Sequence, residues 1–502
     1  MSYEKYQSYM RKIADVNMSS AVLQWDQEIF MPPKGASFRA QQLASLAGIA
    51  HELTVKEEFG ELLEKLNSDT SLTDEQAKNV KESYKDYRKK KKYSTDFIEL
   101  MSMTISESFQ AWQIAKNNND FDSFAPFLEK IVALKRRECS ILGYKAHPYD
   151  ALLNEFEPGA TTKDISDLFE EVKKNLVDFV KDIAHSPQND DSFMFYQYDS
   201  NKQWDFSLHL LRQMGYDFTA GRQDISSHPF TTNFNAFDVR VTTRVNINDI
   251  SEIISTTIHE GGHALYEQGL KPENYGLPSS EFISLGIHES QSRLWENNVG
   301  RSLAYWKTNF PLLKEAFPEN LRNVDVEKFY KAINIVKPSL IRTNADELTY
   351  HFHILIRFEL EKALIEGSIE VKDLPELWNQ KYKTYLGVNV PNNSHGILQD
   401  VHWSHGSFGY FPTYSIGSFY AAQFFAKAQQ DIKNLDKQME EGNMIPLLDW
   451  LRENIHIHGK LFTAEELCVK ITGEKLNFNY FMEYVRKKYS GLYETVEKEV
   501  RN

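Results

Sequence analysis

The pentapeptide His259-Glu260-Gly261-Gly262-His263 constrains this chain more than any other stretch. Two histidines four positions apart share one face of an α-helix, so the segment has to be helical if both imidazoles are to reach the same ion. This is the H-E-x-x-H arrangement that a tetrahedral catalytic zinc requires. Glu260 then stands beside the metal without being a ligand. From there it can take a proton from a water activated by the ion and hand it to a leaving amine.

The flanking residues support that helix. Asp249 followed by Glu252 reads as an N-cap with its capping-box partner, and Gly269 with Pro272 closes the far end, giving about five turns. Gly261 and Gly262 each cost about 1 kcal/mol relative to alanine inside a helix. Their presence implies that a substrate or another backbone passes close by.

A mixture of 41% hydrophobic, 25% charged and 13% aromatic residues is that of an ordinary globular protein, and 502 residues are ample for a large core. With 16 prolines and no Gly/Ser-rich or Pro-rich linker, the chain reads as one helical body over 1–502. A formal charge of -14 argues against a nucleic-acid surface. The basic run Arg88 to Lys92 reads as a solvated helix end, followed by a new helix at Ser94 and Thr95, and is assigned no partner. Cys139 and Cys468 follow neither a disulfide nor a metal spacing and are expected to be reduced core thiols. The N-terminus has no apolar leader and no run of 18 or so apolar residues occurs, which by default places the protein in the cytoplasm, away from membranes.

Helical signatures dominate. Thr73 with Gln76 and Thr463 with Glu466 form capping boxes, and Thr162 opens a segment with Ile165, Leu168, Phe169 and Val172 at helical spacing. The clearest strand is Asp238 to Val245, where Val239, Val241 and Val245 alternate with Asp238, Arg240, Thr242 and Arg244. It runs almost directly into the metal helix, so an extended peptide is expected to pair with its edge.

A catalytic zinc takes three protein ligands and keeps a fourth position for water. The segment from Glu281 to Glu296 reads as a helix that brings Glu281, Glu289 and Glu296 near one face, and periodicity does not choose among them.

Five motifs narrow the reading. They are His228-Pro229-Phe230, the D-x-R-x-T of Asp238 to Thr242, His259 to His263 with the later His288-Glu289-Ser290, the I-R-x-x-A-D of Ile341 to Asp346, and the G-x-x-Q-D-x-H-W of Gly396 to Trp403. In this set and order the chain resembles the carboxypeptidase Taq family of metallocarboxypeptidases. The resemblance implies that Glu289 is the third ligand. It also implies a mostly α fold, one large helical domain with a deep substrate groove and a small β-sheet beside the metal, similar to neurolysin and angiotensin-converting enzyme. A homodimer is implied as well. The first 220 or so residues carry no catalytic motif and are expected to be scaffold.

These readings assign roles. Metal ligands are His259, His263 and Glu289, holding Zn2+, with Co2+ or Mn2+ able to occupy the same donors. Glu260 is the base. The Gly-rich segment from His405 to Tyr414 resembles a loop of neurolysin-type oligopeptidases that stabilises the oxyanion, which makes Tyr410 the donor with His405 and Tyr414 in support. Recognition of a free α-carboxylate calls for an arginine, and Arg240 and Arg342 lie within family motifs. Arg342 precedes a capping signal at Asn344 and Glu347, so it is expected to project from a helix start. His228, Asp238, Gln399 and His402 complete the expected substrate-binding set, with Asp400 as a group supporting it. His288, His351, His353 and His395 receive no role beyond packing.

The expected activity is therefore metal-dependent release of amino acids, one at a time, from the free C-termini of peptides. An oligoendopeptidase on the same scaffold and a non-catalytic binding protein with a structural metal are the alternatives. Glu260 speaks against the second, because a structural site needs no base.

Overall fold

A computed structural model describes residues 2–493. Helices make up most of the chain, and three short strands form its single sheet among the described residues. No helix among these residues is long and apolar enough to cross a membrane.

The chain divides into two compact units, each assembled from three separate stretches. The first comprises Met1–Lys91, Asp190–Ile333 and Tyr420–Leu476. It opens with the helices Ser2–Ile29, Ala36–Val55, Glu57–Asn67 and Asp74–Lys90. Tyr6, Ile13, Phe59, Leu63, Leu66, Val80 and Tyr87 from these helices share a core with Leu277. The capping box at Thr73 and Gln76 forms as expected, as does the one at Thr463 and Glu466. Arg88, Lys89 and Lys90 occupy the last turn of their helix.

The sheet belongs to this unit. Its strands are β1 (Gly221–Ile225), β2 (Thr231–Asn235) and β3 (Asp238–Thr243), in the order β1-β3-β2. β3 runs parallel to β1 and antiparallel to β2, with a bulge between Asn233 and Asn235. The expectation that a peptide pairs with the edge of β3 is therefore corrected. Val239 and Val241 are buried as read, but β3 is the central strand and its backbone groups are taken on both sides. The strand also ends at Thr243, two residues before Val245.

The helix Ile250–Gln268 carries the H-E-x-x-H residues. Asp249 caps it through the Ser251 N–H, but Glu252 does not close a capping box. Its carboxylate accepts from Asn246 Nδ2 at 3.0 Å and pairs with Arg244 instead. Thr243 Oγ1 of β3 reaches Thr256 and Thr257 on the helix at 3.1 and 3.3 Å, tying helix to sheet. A Cβ added at Gly262 would stand 2.7 Å from Gln291 O and Ser292 Cα, so the close neighbour inferred from the two glycines is the backbone of the next helix. At Gly261 the neighbours are the side chains of Leu211 and Met214.

That next helix spans Leu285–Arg293 and continues as a π-helical turn over Leu294–Val299. It begins at Ser284, whose hydroxyl accepts from the Ile287 N–H, and not at Glu281 as the periodicity suggested. The three-residue side-chain cap outcompetes a helical run through Glu281-Phe282-Ile283.

The second unit comprises Lys92–Asn189, Asn334–Phe419 and Asn477–Asn502. Its helices include Thr95–Asn118, Phe121–Leu142, Tyr149–Phe156, Thr162–His185 and Tyr350–Glu366. Asn344 and Glu347 do not cap a helix. Asp346 accepts from the Leu348 and Thr349 N–H groups at 2.9 Å each, and Glu347 is drawn to Lys488 and the hydroxyls of Tyr484 and Tyr489. Cys139 and Cys468 are buried and unpaired.

Candidate active site

In the first unit, His259 and His263 present their imidazoles from one face of the helix, one turn apart, with ring centroids 4.9 Å from each other. Glu289 arrives from the Leu285–Arg293 helix. Its Oε2 lies 3.4 Å from His263 Nε2 and 3.8 Å from His259 Nε2, and the three donor atoms all fall within 4.8 Å of one another. Ligand bonds of about 2.0–2.2 Å in a tetrahedron require donor separations of about 3.4 Å, so two imidazoles and one carboxylate stand where a divalent ion of that size fits. Of the three acids left open by periodicity, Glu289 joins the histidines, Glu296 lies behind them, and Glu281 pairs with Lys460 at 3.7 Å.

The support around the donors is asymmetric. His259 Nδ1 lies 2.8 Å from Glu296 Oε2. Glu296 is held in turn by Arg293 at 3.0 Å and Arg301 at 3.4 Å. Arg293 Nε also donates to the other oxygen of Glu289 at 2.7 Å, and Ser292 Oγ donates to Glu289 Oε2 at 3.1 Å. His263 Nδ1, by contrast, finds no partner among the described residues. Its ring is stacked on His288 with centroids 4.4 Å apart, and His288 Nε2 is bound to Glu267 Oε1 at 2.8 Å. His288 thus fixes the plane of the His263 ring by stacking, a contact that the sequence did not suggest.

These surroundings set the charges. Burial acts most strongly on Glu289 and Glu296 and would raise both, yet Arg293 and the histidines outweigh it and hold both carboxyls well below the usual range. Burial pulls His263 down to about 3, so its imidazole is neutral. Burial also lowers His259, but Glu289 and Glu296 more than restore it. Neutral imidazole and ionised carboxylate, the forms of His263 and Glu289 here, are those that bind a cation.

Glu260 follows His259 on the same helix, and its side chain is buried. Its Oε2 accepts from Thr231 Oγ1 of β2 at 2.7 Å, and the same hydroxyl reaches the Glu260 carbonyl at 2.9 Å. Burial pushes its carboxyl above the usual carboxylate range. A carboxylate of raised basicity, oriented by one hydroxyl, suits a general base.

Arg240 and Asp238 bind each other. They project from β3 two residues apart and form a two-pronged ion pair, with 2.8 Å and 2.9 Å contacts. The guanidinium lies over Trp25 at 4.3 Å and Phe234 at 4.8 Å. His228 is exposed in the turn between β1 and β2, where its carbonyl accepts from Ser226 Oγ.

The remaining expected residues lie in the second unit. Arg342 is buried and donates to Asp400 at 3.0 Å and to the Tyr350 hydroxyl at 3.3 Å, with Tyr414 and Phe411 rings alongside. Arg357, wholly buried, holds the other oxygen of Asp400 at 2.6 Å. Asp400 is thus ionised and flanked by two guanidinium groups. Gln399 accepts from the Arg342 N–H and donates to backbone carbonyls of Leu340, His395 and Gly396, which fixes Arg342 from the main-chain side. His402 Nε2 lies 3.4 Å from the Tyr414 hydroxyl, and its ring packs 4.4 Å from Phe411 and 5.5 Å from Tyr410. Burial drops its imidazole to about 3. His405 is exposed and packs on Phe109. Sequence reasoning missed Arg293, Arg357, Thr231 and Glu361; only Arg293, four residues after Glu289, carried a spacing that could have found it.

Two imidazoles and one carboxylate that could hold one metal ion, with a buried glutamate next in sequence, are the parts a mononuclear metallopeptidase uses. The profile of the carboxypeptidase Taq (M32) metallopeptidases matches residues 5–489, and the chain belongs to that family. Carboxypeptidase 1 of Bacillus subtilis is 39% identical over 98% of this chain and 99% of its own length. The crystal structure of the M32 carboxypeptidase from Deinococcus radiodurans superposes with a TM-score of 0.97 at 37% identity, covering 98% of this chain and 99% of that one. A solved structure named CHT is 55% identical, with a TM-score of 0.96 over 97% of this chain and 99% of that chain. The expectation of a metallocarboxypeptidase, drawn from five short motifs, accords with these relatives, and neither alternative is favoured by them.

Proposed function

We propose that this protein is a zinc-dependent carboxypeptidase that removes amino acids one at a time from peptides with a free C-terminus. The convergence of His259, His263 and Glu289 with Glu260 beside them carries the reading. His259, His263 and Glu289 would hold a zinc ion, which would supply Lewis acidity towards water and the scissile carbonyl. Glu260 takes the proton from the attacking water and delivers it to the departing amine, with Thr231 fixing the carboxylate during both transfers. Tyr410, supported by His405 and Tyr414, donates to the oxygen that gains charge. Arg342 binds the substrate α-carboxylate, its own position set by Asp400 and Gln399. Arg240, steadied by Asp238, and His228 in the first unit, and His402 in the second, are the remaining substrate-binding candidates.

The chain passes between its two compact units five times, which supports 1–502 as one folding domain. A cytoplasmic location is supported by the two unpaired, buried thiols. A homodimer is supported by the family resemblance.

The terminal-residue reading is tested at Arg342. Arg342→Ala is expected to raise KM for a free-acid peptide by about tenfold to a hundredfold, the worth of a charge-assisted hydrogen bond. Any residual cleavage of the C-amidated peptide should stay unchanged. Equal losses on both peptides remove Arg342 from carboxylate recognition.

A further inference from the structure

We propose that Glu361 is a positioning residue that fixes the loop bearing Tyr410. The proposal rests on the reading of Tyr410 as the oxyanion donor. Glu361 lies on the Tyr350–Glu366 helix, wholly buried. Its carboxylate accepts three hydrogen bonds from two other parts of the second unit. Tyr149 Oη donates at 2.6 Å and the Gly409 N–H at 2.9 Å, both to Oε2, while Trp403 Nε1 donates to Oε1 at 2.7 Å.

Among the described residues no Lys, Arg or His stands within ion-pair distance of Glu361; Lys135, paired with Glu138, attracts it only from farther off, and burial pushes its carboxyl up to about 7. A buried carboxylate without a cation is costly, and an apolar side chain of similar volume would pack the helix at least as well. What a carboxylate alone offers here is acceptance from three converging donors. Glutamine cannot replace it. Whichever way its amide is turned, the –NH2 faces either the Trp403 indole N–H or the Gly409 N–H, and one buried donor loses its partner.

The two bonded positions bracket the segment 403–409 and hold it at both ends. Gly409 takes φ +93, and a Cβ there would stand 2.7 Å from the Leu152 backbone, so the loop is pressed onto the Tyr149–Phe156 helix at this point. Tyr410 follows at once, its ring 5.1 Å from Phe156. Glu361 therefore sets where the backbone of Tyr410 leaves the loop, and through it where the phenol can reach. A displacement of about 1 Å at a group acting in the transition state can cost about a hundredfold in rate.

The test uses the full-length, metal-loaded protein with Glu361→Gln, and with Tyr149→Phe as a milder variant that removes one donor should the first fail to fold. Two readouts are taken: steady-state kinetics in the presence and absence of Tyr410→Phe, and hydrogen–deuterium exchange of peptides spanning 403–411. Glu361→Gln is expected to lower kcat by about tenfold or more with KM nearly unchanged. It should also speed exchange in 403–411 while leaving the His259–His263 helix and the metal content as they are. In the Tyr410→Phe background the same substitution should lower kcat by less than about twofold, because the group it positions is already gone. Unchanged exchange in 403–411 overturns the proposal, as does an equal kcat loss in both backgrounds. A Tyr410→Phe enzyme with full kcat would remove Tyr410 from the oxyanion, a separate failure that leaves the exchange result to decide the role of Glu361.

Discussion

His259 Nδ1 lies 2.8 Å from Glu296 Oε2, and this one contact decides which imidazole nitrogen faces a metal. With Nδ1–H donating to the carboxylate, the lone pair sits on Nε2, the atom turned towards Glu289. Arg293 binds both Glu289 and Glu296, so the two acids move as a unit. Glu296→Gln is expected to weaken zinc binding by about tenfold to a hundredfold, the usual cost of losing such a partner. Competition against a chelating dye measures it, and unchanged affinity contradicts the assignment.

Gly262 sets the distance between the helix of His259 and His263 and the helix of Glu289. Alanine inside a helix gains about 1 kcal/mol over glycine. Here the added methyl meets main-chain atoms of Gln291 and Ser292 at 2.7 Å, which cannot rotate away as a side chain can. Overpacking of that kind costs about 1–3 kcal/mol, so packing wins. Gly262→Ala should lower the melting temperature and weaken zinc binding together, since Glu289 lies two residues before Gln291. A higher melting temperature with intact zinc binding would refute this account of the glycine.

His402 supplies a pH dependence whose sign follows from burial. In the folded protein its imidazole is held down to about 3 by burial, outweighing the attraction of Asp400. In the unfolded chain it titrates near about 6.5. Below that value the unfolded state takes a proton that the folded state refuses, so stability falls as pH drops from about 6.5 towards 3. Metal-free protein, with the ligand histidines common to both samples, isolates the effect. Wild type should lose more stability than His402→Gln between pH 6.5 and 4; parallel curves would mean that His402 is solvated and titrates normally.

The sequence disclosed the chemistry better than the scaffolding. His259, His263 and Glu260 followed from one helical spacing, because a period of 3.6 is a local property that tertiary structure seldom overrides. Gly262 was legible for the same reason: two glycines inside a helix cost enough to need an external cause. Glu289 was not separable from Glu281 and Glu296 by period alone, since the Ser284 cap and the π-helical turn after Arg293 both break the repeat on which that reading depended. The order of the sheet was invisible, because pairing is non-local and an alternating pattern looks the same in a central strand as at an edge. Asp400 with Arg357, and Glu361 with Tyr149, join residues 43 and 212 positions apart, and nothing in a single sequence links such pairs.

The central claim is a metal-dependent carboxypeptidase with Glu260 as its base. One N-blocked peptide, as free acid and as C-terminal amide, is incubated with wild type, with wild type plus a chelator, and with metal-loaded Glu260→Gln, and the products are read by mass spectrometry. The account predicts a ladder of single-residue losses from the free acid alone. The chelator should abolish it, and Glu260→Gln should slow it by about a hundredfold to ten-thousandfold while keeping its zinc. Internal cuts in both peptides, or an undiminished ladder from Glu260→Gln, would contradict it.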